Sequence, residues 1–353
     1  MKRSFIMIDY LLIGHGSIDL TPDGPKPGPW LEETGSNETM NKRDAVLDIL
    51  DAGKPQDYTP AGFFIHFDPS CHFGQAAVDK HLEFFRHTDM DLVKIQYERN
   101  FPYQPGIRKP EDWANLPLLT RDFFQPQLDA VDGLVRAAKD EAVVIVTLYS
   151  AFMCAGQASN GLITEHLKEN PDQAKKGIEI ATESLLTFVR ACIDLGVDGF
   201  YASTQGGESA RFEDKTLFLD YIKPYDLALM EEFNRACIFN VLHVCDYTYG
   251  YDDLTPFLEY PGQVVNCNPR VGSKALSGQE ISELFGRPFM GGLERKGVIA
   301  TGGEAEIARE VRRVLRDAPD KFFLAADCTL PHDVSWDNIK TAISTAHRFQ
   351  NEM

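Results

Sequence analysis

From about residue 60 onward, short apolar runs alternate with amphipathic segments of helical period, and this alternation limits the possible fold more than any other feature. We count eight runs, each predominantly apolar, as expected for parallel strands that are covered on both faces. The runs are residues 62–67, 91–97, 143–148, 198–202, 239–245, 263–267, 288–292 and 322–326. Eight strands alternating with helices predict a (β/α)8 barrel of the α/β class, the TIM-barrel architecture.

The segments between the runs carry apolar residues at helical spacing. This pattern predicts helices across residues 128–138, 178–192 and 307–315. Gly196 follows the second of these and suits the position just after a helix end. A doubly wound open sheet is the competing fold, but it needs fewer strands, and no Gly-x-Gly-x-x-Gly motif follows the first run.

The first 40 residues differ in composition from the rest of the chain, because Pro22, Pro25, Pro27 and Pro29 lie close together there. We therefore expect an N-terminal extension over residues 1–40 and a single catalytic barrel domain over residues 41–353. The barrel is expected to open with a helix that precedes the first strand.

Composition argues against several classes of protein. No run approaches the 18 apolar residues of a membrane span, and the formal charge of −18 opposes binding to nucleic acid. The chain starts without a long hydrophobic signal region, and its 7 cysteines are an odd number. Free or metal-bound thiols in a reducing cytoplasm are expected rather than a disulfide framework.

Three residues at strand ends point to a metal. In such a barrel the carboxyl ends of all strands meet at one mouth, where the chemistry takes place. His243 and Cys245 lie two apart on the fifth run and so point to the same side, and Cys328 follows the eighth run. One imidazole and two thiolates suit Zn²⁺, and three protein ligands leave one position open, as in catalytic sites.

Further candidates follow from the same strand-end argument. Cys267 ends the sixth run and is a candidate fourth ligand, whereas the other four cysteines are assigned to packing. Glu98 and Asp246 are the candidate catalytic carboxylates, in contact with the substrate or supporting the metal site. The candidate substrate-binding residues are His66, Asp68, Tyr149, Gln205 and Asn268.

At these residues the chain resembles the uroporphyrinogen decarboxylase superfamily, and more narrowly its zinc-dependent methyltransferase branch, which includes the corrinoid-protein:coenzyme M methyltransferases. The resemblance spans roughly residues 40–349. It rests on five short sequences: Gly-Lys-Pro at 53–55, Gly-Val-Asp-Gly at 196–199, Leu-His-Val-Cys at 242–245, Met-Gly-Gly-Leu at 290–293 and Ala-Asp-Cys-Thr-Leu-Pro at 326–331.

The resemblance implies zinc held by His243, Cys245 and Cys328, with Cys267 at the place where the related cobalamin-independent methionine synthases add a glutamate. It also implies methylcobalamin as co-substrate, carried by a small corrinoid partner protein. The methyl acceptor would be a small-molecule thiol or a folate-like compound.

The chain also departs from the decarboxylases. Residues 64–73 lack the arginines that hold substrate carboxylates there, and Asp327-Cys328 replaces a glycine-histidine. Arg270 and Arg295 are the nearest candidate cations for an anionic acceptor. Two alternatives remain open: a metal-free carbon–carbon lyase of the decarboxylase type, and a non-catalytic barrel that binds a small ligand or a corrinoid protein. The oligomeric state is not indicated.

Overall fold

The computed structural model describes residues 41–349, so the predicted N-terminal extension over residues 1–40 lies outside the described part of the chain. No helix in the described part is long and apolar enough to cross a membrane.

Parallel strands form the central sheet, which has 7 members in the order β1-β2-β3-β4-β5-β8-β9. They are β1 (Leu92–Ile95), β2 (Val143–Tyr149), β3 (Gly199–Thr204), β4 (Val241–Val244), β5 (Val264–Cys267), β8 (Phe289–Leu293) and β9 (Phe322–Ala326). A separate antiparallel hairpin joins β6 (Arg270–Val271) and β7 (Lys274–Ala275). Seven of the eight predicted runs are therefore strands, in sequential order, curled into a barrel wall.

The first predicted strand, residues 62–67, is not a regular strand. A single parallel bridge joins Ala61 to Leu324 of β9, and the backbone N–H of Asp91 donates to the carbonyl of Ala61 on the opposite side. The segment thus lies between β9 and β1 and completes the barrel without a full ladder. Pro60 has no N–H to donate, and the N–H of Ala61 donates to the Asp91 carboxylate at 2.7 Å instead of to a strand.

Helices surround the sheet. They are α1 (Lys42–Leu47), α2 (Gly74–Thr88), α3 (Arg121–Ala138), α4 (Ala151–Ser159), α5 (Leu162–Glu169), α6 (Pro171–Asp194), α7 (Thr216–Tyr221), α8 (Lys223–Asn234), α9 (Gly278–Phe285), α10 (Val298–Thr301), α11 (Glu304–Arg316) and α12 (Trp336–Phe349). Short 3-10 turns lie at Asp48–Leu50, Pro69–Cys71, Pro110–Asn115 and Thr255–Phe257. The three predicted helical segments are confirmed within α3, α6 and α11, and Gly196 follows α6 with the left-handed φ of 87°.

The hydrophobic core has two parts. A large cluster lies between the sheet and the surrounding helices, and a smaller one fills the barrel interior. The interior cluster includes Val46 and Ile49 from the predicted opening helix and the turn after it. Arg43 holds this helix in place through two hydrogen bonds of 2.6 and 2.7 Å to the carboxylate of Asp198, which is buried. One end of the barrel is thus closed by apolar packing, which leaves the carboxyl ends of the strands for the site.

Candidate functional site

The structure brings together the three predicted metal ligands. The ligand atoms of His243, Cys245 and Cys328 all lie within 4.8 Å of one another, and all three residues are buried. Nε2 of His243 is 3.4 Å from Sγ of Cys328, although the two residues are 85 positions apart in sequence. Within residues 41–349 no other set of three such side chains converges in this way.

Asn266 determines which nitrogen of His243 faces the two sulfurs. Its amide nitrogen donates to the backbone carbonyls of Met290 and Ala326 at 2.8 and 2.9 Å, so its Oδ1 must be the acceptor for its other contacts. This oxygen lies 2.5 Å from Nδ1 of His243 and also accepts the hydroxyl of Tyr201 at 2.6 Å. Nδ1 of His243 therefore carries the proton, and neutral His243 presents the lone pair of Nε2 to the sulfur atoms, as a metal ligand must.

Strand alternation explains why His243 and Cys245 share one face and why Cys267 does not join them. His243 is paired in register with Asn266, and both point into the barrel, whereas Val244 is paired with Cys267. Cys267 is buried in the cluster between the sheet and the helices, where burial raises its pKa to about 12. The structure therefore does not support Cys267 as the fourth ligand, and the inward position on that strand belongs to Asn266.

The two site thiols have different electrostatic environments. A hydrogen bond from Cys328 lowers the pKa of the Cys245 thiol, and the side-chain amide of Gln205, 3.4 Å from the sulfur, acts in the same direction. The same hydrogen bond and burial raise the pKa of Cys328. A divalent cation held by these residues would remove this asymmetry, because a coordinated thiol is deprotonated. The donor set therefore fits a borderline-soft metal with one position open to a ligand.

A cavity of about 990 Å³ opens over these three residues. Four other predicted residues line it, namely His66, Glu98, Tyr149 and Gln205. Asp68 does not, because its carboxylate accepts hydrogen bonds from the N–H and hydroxyl of Ser70 and caps a short 3-10 turn.

Glu98 lies between two histidines on the cavity wall. Its Oε1 is 2.8 Å from Nδ1 of His66, and its Oε2 is 3.8 Å from Nδ1 of His72. A carboxylate accepts, so Nδ1 of His66 donates and neutral His66 keeps its Nε2 lone pair free of this contact. Nε2 of His72 in turn donates to the carbonyl of Phe67 at 2.9 Å. The pair Glu98–His66 has the arrangement of an oriented acid–base group.

Asp246 and Asn268 belong to a charged network beside the cavity rather than to its lining. Nη1 of Arg295 donates to Asp246 at 2.8 Å and to Asp327 at 3.0 Å, and the amide of Asn268 donates to both carboxylates. Burial raises the pKa of Asp327, while the guanidinium of Arg295 opposes that effect. Because Asp327 precedes Cys328, this network holds the segment that delivers the third ligand.

Three residues that matter for the site were not identified from the sequence: Lys94, Tyr201 and Asn266. Each carries a polar group within a largely apolar run, at a position whose side chain points into the barrel by strand alternation. A polar group at such an inward position is the signal that could have identified them. Arg211 and Lys296 also line the cavity, so cations do reach it, and Arg295 was correctly identified as one of them. Arg270, by contrast, is exposed on the β6–β7 hairpin.

A parallel α/β barrel with a buried His/Cys/Cys group under a large cavity defines a class of barrel enzymes with a site at the carboxyl ends of the strands. The family model for uroporphyrinogen decarboxylase (URO-D) matches residues 86–349. The chain therefore belongs to the uroporphyrinogen decarboxylase family and is an enzyme of that superfamily.

Comparison with solved structures agrees on the fold. A methyltransferase from Methanosarcina mazei aligns with a TM-score of 0.70 over 88% of this chain and 99% of its own, at 15% identity. At that identity the likeness shows the fold and leaves the reaction open. A B12-independent methionine synthase from Shewanella sp. W3-18-1 aligns over 85% of this chain and 99% of its own at 13% identity, but its TM-score of 0.47 is too low to support an argument. No curated protein matches the sequence significantly.

Proposed function

We propose that this protein is a zinc-dependent methyltransferase that moves a methyl group from methylcobalamin, carried by a small corrinoid protein, to a small-molecule thiol or a related, folate-like acceptor. One observation carries the proposal: the ligand atoms of His243, Cys245 and Cys328 converge within 4.8 Å beneath the cavity. Two thiolates, one neutral imidazole and one open position are the ligand set of a catalytic rather than a structural zinc site.

Zinc bound there would lower the pKa of an acceptor thiol and keep it as a thiolate near neutral pH. The protein's own residues orient the metal ligands and accept the proton of the thiol. Asn266 keeps the Nε2 lone pair of His243 directed at the site, and Gln205 donates toward Cys245. His66, oriented by Glu98, accepts the proton that the thiol loses, since its Nε2 is the free nitrogen of that pair.

The cavity suits the second substrate. Its volume of about 990 Å³ exceeds the needs of a small thiol and leaves room for a methyl donor to approach from the mouth. Tyr247 lines the cavity and is 78% exposed, so the lining continues to the outer surface. A corrinoid partner that docks over the barrel mouth would present its methyl group along this path.

The decisive experiment begins with metal content. Elemental analysis of protein purified without chelator should find about one zinc per chain. A Cys328→Ser variant should lose most of it. A Cys192→Ser variant should keep it, because this buried thiol lies in the last turn of α6, which leads to the amino end of β3 rather than to the carboxyl ends of the strands. Absence of zinc in the wild type, or equal zinc in both variants, would refute the three-ligand site.

Activity is tested separately. The zinc-loaded protein is mixed with free methylcobalamin and a panel of thiols, and loss of the methyl–cobalt absorption is followed. Turnover with at least one thiol is expected. Lack of turnover with every thiol, and also with tetrahydrofolate as the acceptor, would refute the proposed reaction.

A metal-free decarboxylase-type lyase is the second candidate, and one observation favours it. The cavity is lined by Lys94, Arg211, Arg295 and Lys296, which are groups that bind substrate carboxylates. That reaction predicts full activity on a porphyrinogen substrate after chelator treatment, whereas the proposed methyltransferase predicts complete loss of activity under the same treatment.

A further inference from the structure

Lys94 is a buried cation on the wall of the cavity. It lies in β1 two residues after Leu92, so both side chains point into the barrel, and it is 5% exposed. Its ammonium nitrogen lies 4.4 Å from the ring centroid of Phe64 and 4.8 Å from that of Tyr201. The Tyr201 ring also stacks on His243, with 4.8 Å between centroids. The ring of Tyr201 therefore contacts both Lys94 and His243, one of the proposed zinc ligands.

The hydrogen-bonding needs of this ammonium are only partly met. It has three N–H groups, and among residues 41–349 the side-chain oxygen of Gln96 is its single acceptor. Two aromatic faces replace the remaining contacts, and they compensate a buried charge only in part. Burial lowers the pKa of Lys94 to about 7, and the electrostatic interaction with Cys328 is the largest influence in the opposite direction.

Lys94 also differs from the two arginines that line the cavity. Arg211 is paired with Glu208, and Arg295 is paired with Asp246 and Asp327. In the described part of the chain, Lys94 has no carboxylate within ion-pair distance. A buried cation without a counter-ion is costly to fold unless a ligand supplies the missing negative charge.

We propose that Lys94 provides the counter-charge for a thiolate bound beside Cys328, and that it makes the site prefer the thiolate acceptor over the methylated product. This inference rests on the proposed function. It assigns Lys94 a role in specificity: its attraction acts on a negatively charged sulfur and vanishes when that sulfur becomes neutral.

The charge change follows from the bonds. As methyl transfer proceeds, a sulfur–carbon bond forms with an electron pair of the thiolate, and the methyl–donor bond breaks with its electron pair left on the donor. The thiolate, of charge −1, becomes a neutral thioether. The ammonium of Lys94 then loses its partner, so the product is held more weakly than the substrate and leaves.

The test uses a matched pair of small probes. Isothermal titration of the zinc-loaded full chain measures the dissociation constants of 2-mercaptoethanol and of its S-methyl ether, 2-(methylthio)ethanol. The wild type should bind the thiol at least about ten-fold more tightly than the thioether, and Lys94→Met should weaken thiol binding about ten-fold while leaving thioether binding unchanged. Lys94→Arg should keep most of the preference, because it retains the charge.

Controls separate a local charge effect from misfolding. Lys340→Met removes an exposed lysine of α12 that is not part of the cavity lining, and it should leave both constants unchanged. Zinc content and urea unfolding of each variant confirm that the site is intact, and Lys94→Gln replaces Lys94→Met if the latter does not fold.

The outcomes are distinct. Equal weakening of both probes by Lys94→Met, or weakening of neither, overturns the role of Lys94. Absence of thiol binding in the wild type refutes the proposed function and this inference together. Thiol binding that depends on Lys94, without methyl transfer from methylcobalamin, supports the role of Lys94 and refutes only the proposed donor.

Discussion

Replacing Asn266 by alanine should reduce zinc affinity through a residue that does not touch the metal. The amide of Asn266 makes four hydrogen bonds, two accepted from His243 and Tyr201 and two donated to backbone carbonyls. Without it, neutral His243 is free to place its proton on Nε2 or to rotate, and either change removes the lone pair from the site. Loss of such a supporting contact typically lowers metal affinity by about 10- to 100-fold.

The stability of the metal-free protein should also fall. Each buried partner left without a hydrogen bond costs about 1–3 kcal/mol. The side-chain volume removed is enough for one water, which restores part of the hydrogen bonding. We therefore expect a decrease of about 2–4 kcal/mol in the free energy of unfolding, less than the sum over four partners.

Asn240→Ala is the matched control. Asn240 is also a buried asparagine, and it directly precedes β4, the strand that carries His243. It lies at the amino end of that strand, where its side chain accepts from the N–H of Phe200 and donates to Gln263. It should destabilise the fold by a similar amount, about 1–3 kcal/mol, and leave zinc affinity unchanged.

The assays are competition with a chromophoric chelator for the zinc dissociation constant and urea unfolding of metal-free protein for stability. Wild-type zinc affinity in Asn266→Ala would refute the orientation argument. An equal loss of affinity in Asn240→Ala would show that general destabilisation, rather than the orientation of His243, weakens the site.

Two further predictions concern other buried groups. Burial raises the pKa of Asp226 to about 7, so the folded state favours its protonated form and loses stability as the pH rises from about 4 through 7. In urea unfolding, Asp226→Asn should therefore be more stable than the wild type by about 1–3 kcal/mol at pH 8. This difference in the free energy of unfolding should shrink toward pH 4, and a difference independent of pH would contradict the prediction. The Cys267→Ser variant should retain full zinc content by elemental analysis, because the sulfur of Cys267 lies between the sheet and the helices. Loss of zinc in this variant would show that Cys267 is a ligand after all.

The strands and helices were predictable because their signals are local. The run at residues 143–148 is apolar except for Thr147 and forms most of β2, and the apolar stripe of residues 178–192 lies within α6. The first strand was not predictable in its reduced form, because its ladder is interrupted by Pro60 and by the carboxylate of Asp91, a residue 30 positions from Ala61. The hydrophobicity of a segment indicates that it is buried, but it does not indicate which of its backbone N–H groups donate to side chains rather than to a neighbouring strand.

The sequence by itself determined the barrel architecture and the three candidate ligands, since the alternation of strands with helices and the positions where strands end are local features of the sequence. Only the tertiary structure decided how those residues are used. Sheet register turned Cys267 away from His243 and placed Asn266 beside it, and barrel closure brought Cys328 to the imidazole and Lys94 to the Tyr201 ring. The physical reason is that these contacts join residues on different strands, so their geometry depends on register and closure rather than on local pattern.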